Sequence, residues 1–317
     1  MEFKFNFAPA GPLEAGGAEG PLPEAGRGGE GPREHRLPWG EMERLLEEEE
    51  GVMVEEVEVG GPGPGTLRIR HLGAWAAERA LSRGAESGLS AAIASHSDLV
   101  PGVYEGGLKI WECTFDLAAY LSATVPLAGR RVLDLGCGAG LLGILALRRG
   151  AAEVHFQDYN AAVIEGVTLP NVSLMEAGQD EPPPDGGGEP PGRWKQAREP
   201  LPRTGMLSRC RFFSGDWSQF GKVHGGSFKY DVILMSETLY NPDCYGDLHG
   251  VLSSLLSQDG VVYLATKAHY FGVGGGLHLF ESFVRQKEVF EIQTVKVIDD
   301  GLRRCIATMS LRKAKPS

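Results

Sequence analysis

The sequence predicts an α/β fold, a mostly parallel sheet with helices on both faces. Three observations carry this. From about residue 95 onward, short apolar runs alternate with stretches of helical spacing, the pattern of strand–helix–strand units. The first apolar run ends in a glycine-rich turn that opens a helix. The last two runs are separated only by Asp299-Asp300-Gly301, which permits a hairpin but not a crossover, so the final pair is expected to be antiparallel.

Taken in order, an amphipathic helix is expected over 112–122. Arg131-Val-Leu-Asp-Leu135 is a short apolar run that reads as a strand, and 141–149 then has helical spacing. Glu153-Val-His-Phe-Gln-Asp158 reads as the second strand, followed by a helix near 161–167. Further strands are expected at 210–214, 230–236, 261–266, 290–298 and 304–311. Helices are expected at 245–256 and 277–285. Residues 173–208 interrupt the pattern. Pro182-Pro183-Pro184-Asp185-Gly186-Gly187-Gly188 suits neither a helix nor an inner strand, and the segment reads as a flexible insertion on the sheet's C-terminal rim.

Composition bounds the function. The formal charge is −11, but residues 1–95 hold 17 Glu and no Asp against nine Lys and Arg, so −8 belongs to this first third and −3 to the rest. An acidic chain is not steered to phosphate backbones, which disfavours direct nucleic-acid binding. The five cysteines are scattered without a C-x-x-C pair, against a disulfide framework and a zinc site. No apolar run approaches 18 residues and no secretory signal is visible, so a reducing compartment is expected and no membrane span. Residues 8–40, rich in Gly, Pro, Ala and Glu, are expected to be disordered. Before them Phe3, Phe5 and Phe7 recur at period two, which suits an edge strand, a chance aromatic cluster or a motif that adds to a partner's sheet. The run Glu47 to Glu50 reads as a solvated surface.

The strongest local signal is Val132-Leu-Asp134-Leu-Gly136-Cys-Gly138-Ala-Gly140. Glycines let the backbone turn and approach a ligand, and the helix N-terminus beyond offers free N–H groups. The spacing is G-x-G-x-G rather than the dinucleotide G-x-G-x-x-G, and Asp134 suits a ligand with a cationic amine. Asp158 lies 20 residues after Gly138 at a strand end, where a carboxylate can accept both ribose hydroxyls or simply cap a helix. Asp216 can accept from an exocyclic amine and Trp217 can pack on a ring; a capping Asp and a core Trp are the alternatives. Glu112 or Thr114 could reach the amino-acid end of such a ligand. S-adenosylmethionine fits that description.

These elements in this order, with Ser236-Glu237-Thr238-Leu239-Tyr240, resemble the seven-β-strand S-adenosylmethionine methyltransferases. Glu237-x-x-Tyr240 is similar to the D/E-x-x-Y motif of the branch that modifies protein side chains. Residues 95–99 (Ser-His-Ser-Asp-Leu), 101–114 (Pro-Gly-Val-Tyr-Glu-Gly-Gly-Leu-Lys-Ile-Trp-Glu-Cys-Thr) and 267–276 (Lys-Ala-His-Tyr-Phe-Gly-Val-Gly-Gly-Gly), with the opening phenylalanines, resemble the protein-histidine methyltransferases that act on ribosomal protein L3. The likeness covers about 95–312 and the first seven residues, not 8–90 or 173–208.

The resemblance implies a doubly wound, Rossmann-like seven-stranded sheet over 95–317, preceded by a mostly disordered region 1–94 with room for short helices. It implies S-adenosylmethionine as cofactor and no metal. Its cofactor contacts would be Ile110, Trp111, Glu112, Cys113, Thr114, Asp134, Gly136, Gly138, Gly140, Gln157, Asp158, Tyr159, Asn160, Gly215, Asp216, Trp217 and Ser236. Glu237 and Tyr240 would be catalytic, facing the same way if a helical turn follows the strand. His269, Tyr270 and Gly274 would meet the substrate. That substrate would be one histidine of ribosomal protein L3, methylated on the ring nitrogen distal to the backbone, by a monomer acting in nucleus, nucleolus and cytoplasm on ribosome assembly and translation. A protein-lysine methyltransferase and a non-enzymatic cofactor-binding chaperone of a ribosomal protein are the alternatives.

Overall fold

The structure, a computed structural model, describes residues 32–36, 54–59, 67–73, 99, 103–177, 205–226 and 228–313. The phenylalanine motif, the Glu47–Glu50 run and residues 178–204 of the expected insertion lie outside the described residues.

Among the described residues ten strands form two sheets. They are β1 Arg33–His35, β2 Val54–Val59, β3 Leu67–Leu72, β4 Arg131–Leu135, β5 Glu153–Asp158, β6 Cys210–Ser214, β7 Tyr230–Ser236, β8 Leu256–Lys267, β9 Phe290–Ile298 and β10 Arg304–Leu311. The main sheet has eight strands in the order β1-β6-β5-β4-β7-β8-β10-β9. β6, β5, β4, β7 and β8 are parallel, whereas β10 pairs antiparallel with both β8 and β9. The expected C-terminal hairpin is present. The expected count of seven is raised to eight by β1, which pairs antiparallel with β6. This corrects the reading of 8–40 as wholly disordered. Arg-Glu-His carries no apolar signal, and its strand exists because β6 offers an open edge.

The chain winds outward from β4 through β5 to β6, then returns to the other side of β4 as β7 and β8. The direction reverses between β4 and β7. At such a switch point the connections leave a crevice at the carboxyl ends of the strands, where doubly wound folds bind ligands.

Alternation along β4 explains the two-sided core. Val132 joins one apolar cluster and Leu133 and Leu135 the other. The first cluster packs under α1 (Glu112–Thr124), α2 (Leu141–Arg148) and α3 (161–177). The second packs under α4 (Trp217–His224), α5 (Tyr245–Leu255) and α6 (Leu277–Lys287). α3 is a turn at Ala161–Val163, a π-helical turn at Ile164–Thr168 and a helix at Leu169–Ala177. It therefore runs beyond the expected 167 and through Pro170. The wider π turn comes where a proline removes an N–H and crowds the preceding carbonyl.

The β2–β3 hairpin was not expected either. Val59 and Ile69 are buried in the first cluster, and Leu72 N–H donates to Asn171 Oδ1 at 2.8 Å. The same Asn171 donates to the Ala139 carbonyl at 2.9 Å. One buried amide thus ties the hairpin, α3 and the glycine turn together, and residues before 95 contribute to the domain's own core.

Candidate active site

The glycine turn after β4 is left-handed three times, at Gly136 (φ 69°), Gly138 (φ 49°) and Gly140 (φ 77°). A side chain would be strained at each. Space forbids one as well. A Cβ on Gly136 would lie 2.8 Å from Thr238 Cγ2, and one on Gly138 would lie 3.0 Å from the Gly107 carbonyl. The turn is therefore packed between the segment after β7 and a strap over residues 103–111.

Asp134 is buried and its Oδ2 accepts from Gly143 N–H at 2.8 Å, fixing α2 to the strand beneath the turn. Burial pushes its carboxyl up to about 8. The expectation of direct amine recognition is replaced by this support role, because the carboxylate points into the helix N-terminus. Asp158 is buried as well. Its Oδ2 accepts from Gly138 N–H at 2.9 Å and its Oδ1 from Asn160 N–H at 3.2 Å. Burial, reinforced by the Glu105 charge, raises it to about 6 against these bonds and one from the Tyr159 backbone.

Three expected contact residues are placed as supports by their burial. Gln157 is fully enclosed; it donates to the carbonyls of Asp158 (2.9 Å) and Gly215 (2.8 Å) and accepts from Trp217 Nε1 at 3.0 Å. Cys113 is fully buried in the first turn of α1, with its thiol against Glu237 and pushed well up by burial. Tyr270 is 2% exposed, and its hydroxyl donates to Glu237. Sequence pattern cannot separate a rim residue from the one beneath it, since alternation decides which faces out.

Other predicted residues sit on α1, on the strap and at the ends of β5, β6 and β7. Thr114 Oγ1 and Ser236 Oγ lie 3.0 Å apart, joining α1 to the end of β7. Glu112 sits 3.8 Å from Arg304, which Asp116 and Asp300 also hold, at 2.6 and 2.9 Å. Asp216 caps α4, accepting from Ser218 N–H at 2.7 Å, and Gly215 beside it has φ 125°. Asn160 fastens the strap, donating to the Val103 carbonyl at 2.7 Å and accepting from Glu105 N–H at 3.2 Å. Half-buried Ile110 and Trp111 end the strap, and Trp111 Nε1 donates to the Gly106 carbonyl at 3.1 Å.

No helical turn follows β7, so Glu237 and Tyr240 do not face the same way. Glu237 takes φ 56°, strained for a residue with a side chain, and turns its carboxylate inward. There it meets the Tyr270 hydroxyl and the Lys267 ammonium, the latter at 3.6 Å, with both ion-pair side chains about 95% buried. Lys267 also lies 5.4 Å over the Trp111 ring. The Tyr240 ring meets the Tyr270 ring edge to face at 6.4 Å, and its hydroxyl donates to Glu105 rather than to the Glu237 group. Burial and the Glu105 charge push that hydroxyl's pKa well up.

The loop after β8 closes the rim. Tyr270 N–H donates to the Gly275 carbonyl at 2.9 Å, and Gly275 N–H donates to the Tyr240 carbonyl at 3.1 Å. A Cβ on Gly275 would overlap the carbonyls of Leu239 and Tyr240. Gly274 (φ 81°) is exposed, as are His269 and Phe271, whose rings meet edge to face at 5.0 Å. Glu105 and Lys267 lie in the strings 101–114 and 267–276 but were given no role, and Asn171 was not singled out. Each acts through a partner distant in the chain. Among the described residues no cluster of His, Cys, Asp and Glu could hold a metal, and no helix is long and apolar enough to cross a membrane.

Residues 112–295 match the family described as Methyltransferase domain, more than half of the chain. The chain is 53% identical over 232 residues to a histidine protein methyltransferase 1 homolog of Bos taurus, covering 72% of this chain and 61% of that protein. It is 39% identical to the homolog of Dictyostelium discoideum, over 65% of this chain and 57% of that one. The magnesium protoporphyrin IX methyltransferase of Synechocystis, solved with bound SAH, is 15% identical, with a TM-score of 0.42 over 63% of this chain and 82% of its own. The chain thus spans about three fifths of the length of the curated relatives it matches. A glycine turn that tolerates no side chain, an acidic strand end beside it and the family match together place this chain among the S-adenosylmethionine-dependent methyltransferases.

Proposed function

We propose that this chain transfers a methyl group from S-adenosylmethionine to the distal ring nitrogen of a histidine side chain in a protein, and that ribosomal protein L3 is the acceptor. The observation that carries the reading is the 53% identity to a histidine protein methyltransferase 1 homolog over 72% of the chain. The motifs Glu237-x-x-Tyr240 and Lys267–Gly276 in the rim support it.

The cofactor supplies an electrophilic methyl group on a sulfonium. For holding it, the fit rests on the crevice walls. Gly136, Gly138 and Gly140 form a turn without side chains at the carboxyl end of β4, beside the switch point where a cofactor would sit. Asp158 can add ribose hydroxyls to the N–H groups it already accepts, and Gly215, Asp216 and Trp217 bound the nucleoside end.

Imidazole is a good methyl acceptor. With an ordinary pKa of about 6.5 it is mostly neutral near pH 7 and keeps one nitrogen lone pair, so no strong base is required. The protein must orient that lone pair, worth several kcal/mol when a near-attack geometry is held. It must also favour the tautomer that carries its proton on the other nitrogen. Tyr240 lines the space for the ring. Glu237, turned inward, keeps the rim in shape by binding Tyr270 and Lys267 beneath it.

Incubation with labelled S-adenosylmethionine and L3, free and in ribosomes, followed by hydrolysis and peptide mapping, tests the reading. Distal methylhistidine is expected. Methyllysine, or no transfer to either form of L3, would overturn it. The acidic first third, net −8 over residues 1–95, gives a basic ribosomal protein an attractive field. Action in nucleus, nucleolus and cytoplasm belongs to the same proposal and would be read by locating the tagged protein.

A further inference from the structure

Resting on the proposed histidine methylation, we infer that Glu105 is the carboxylate that accepts the acceptor ring's N–H and so selects which nitrogen is methylated. Glu237, the carboxylate expected to be catalytic, is about 95% buried in its side chain and faces an ammonium and a phenol beneath the rim. Its charge is matched by Lys267 and its oxygens point inward. A substrate ring entering from outside does not meet them.

Glu105 occupies the complementary position. It lies on the strap that crosses the crevice, at the level of the glycine turn. Gly107, two residues on, packs against the β5 end: a Cβ there would lie 2.9 Å from Val163 Cγ1 and 3.4 Å, an ordinary contact, from Asp158 Oδ2. One side of Glu105 is fixed to the β5 rim, because its N–H donates to Asn160 Oδ1 at 3.2 Å. The other is fixed to the β7 rim, because its carboxylate accepts from Tyr240. The residue therefore bridges the β5 and β7 rims, through its backbone on one side and its carboxylate on the other, and is half-buried rather than enclosed.

The holding group also suits the task. Burial and the neighbouring charge keep the Tyr240 phenol protonated, so it donates its hydrogen bond to the carboxylate. A carboxylate held by a neutral donor can orient a second donor, here the imidazole N–H. This is the arrangement that fixes a histidine tautomer in hydrolytic triads. The lone pair of the far nitrogen then forms the new N–C bond as the methyl carbon's bond to sulfur breaks, its electron pair staying on sulfur. The ring becomes an imidazolium whose proton points at Glu105 and passes to water as the product leaves. The developing positive charge is met by a preorganised negative one.

The test compares wild type, Glu105→Gln and Tyr240→Phe with an acceptor protein and labelled cofactor. Hydrolysis of the wild-type product comes first. Methyllysine there would overturn the histidine reading, independently of any variant. With methylhistidine established, Glu105→Gln is expected to lower kcat by roughly a hundredfold or more. KM and cofactor affinity should stay within threefold, and the share of the other ring isomer should rise. Tyr240→Phe, which keeps the carboxylate and removes only its anchor, should cost less in kcat and leave the isomer ratio nearer wild type. A Glu105→Gln enzyme with kcat within threefold of wild type, or one whose loss tracks weakened cofactor binding with an unchanged isomer ratio, would overturn the inference.

Discussion

Replacing Lys267 by Met removes the cation that faces Glu237 and leaves a buried carboxylate on a strained backbone. The ion pair spans 3.6 Å, with side-chain exposures of 4% and 5%. At an effective dielectric of about 20 such a pair attracts by about 4–5 kcal/mol. Breaking one partner of a buried pair typically costs about 3–5 kcal/mol, because the other charge stays desolvated. For a domain of this size, each kcal/mol lowers Tm by about 2–4 °C, so Lys267→Met should melt roughly 6–20 °C below wild type. The double variant Glu237→Gln/Lys267→Met retains an oxygen for the Tyr270 hydroxyl and buries no charge, and it should recover at least about half of that loss. Thermal unfolding followed by circular dichroism at pH 7 reads all four corners of the cycle. A single variant within 2 °C of wild type, or a double variant no more stable than the single, would show that the pair does not hold the rim.

Other consequences can be measured directly. Gly275→Ala forces a methyl group into the carbonyls of Leu239 and Tyr240; overpacking of about 1–3 kcal/mol, with loss of a hydrogen bond worth about 1 kcal/mol, should lower Tm and depress turnover. Wild-type values of both would refute the packing argument. Asp158 titrates at about 6 in the fold against 3.8 as an ordinary carboxylate. Its ionised form is thus penalised by folding, and the stability it contributes at low pH is lost as pH rises from 3.8 through about 6. Ribose hydroxyls favour the ionised form, so cofactor affinity should fall by roughly tenfold per unit below pH 6 and be flat in Asp158→Asn; calorimetric titration at pH 5–8 compares them. Glu34→Ala removes the paired contacts to Arg211 at 3.1 and 3.0 Å, a half-exposed interaction worth roughly 0.5–1 kcal/mol. Amide exchange in β1 should then quicken several-fold while β4 and β7 are unchanged, and uniform exchange would argue against local undocking.

The strands 131–135, 153–158, 210–214, 230–236, 290–298 and 304–311 were legible residue for residue, because apolar residues recur in each, alternating with polar ones in 290–298, between turn or charged residues. β8 begins five residues early, at Leu256. Leu256 was expected to end the preceding helix, and it becomes strand by pairing with Tyr230 ahead of a register shift to Val261. The Val-Glu-Glu-Val-Glu-Val strand of the hairpin reads as part of an acidic region until Val59 and Ile69 are seen buried. At the site, the glycine turn and Asp158 were visible because their chemistry is local. The positions of Glu237 and Tyr240 were visible too, but not their directions. Those depend on a single left-handed residue, which no pattern in the sequence announces.

The edge strand β1 sets a timing problem for synthesis. His35 reaches Ser214 across 179 residues, with Nε2 2.7 Å from the hydroxyl, while its Nδ1 lies 2.8 Å from Glu165. At about 5–20 residues per second, the partner strand is made roughly 10–35 s after β1 itself. Until then β1 has nothing to pair with, and once β6 forms, its outer backbone groups stay open until β1 returns. An uncovered edge is a template for pairing with another chain. Loss of this three-residue strand should therefore be felt first as aggregation of newly made protein, with the finished fold and its melting temperature changed much less.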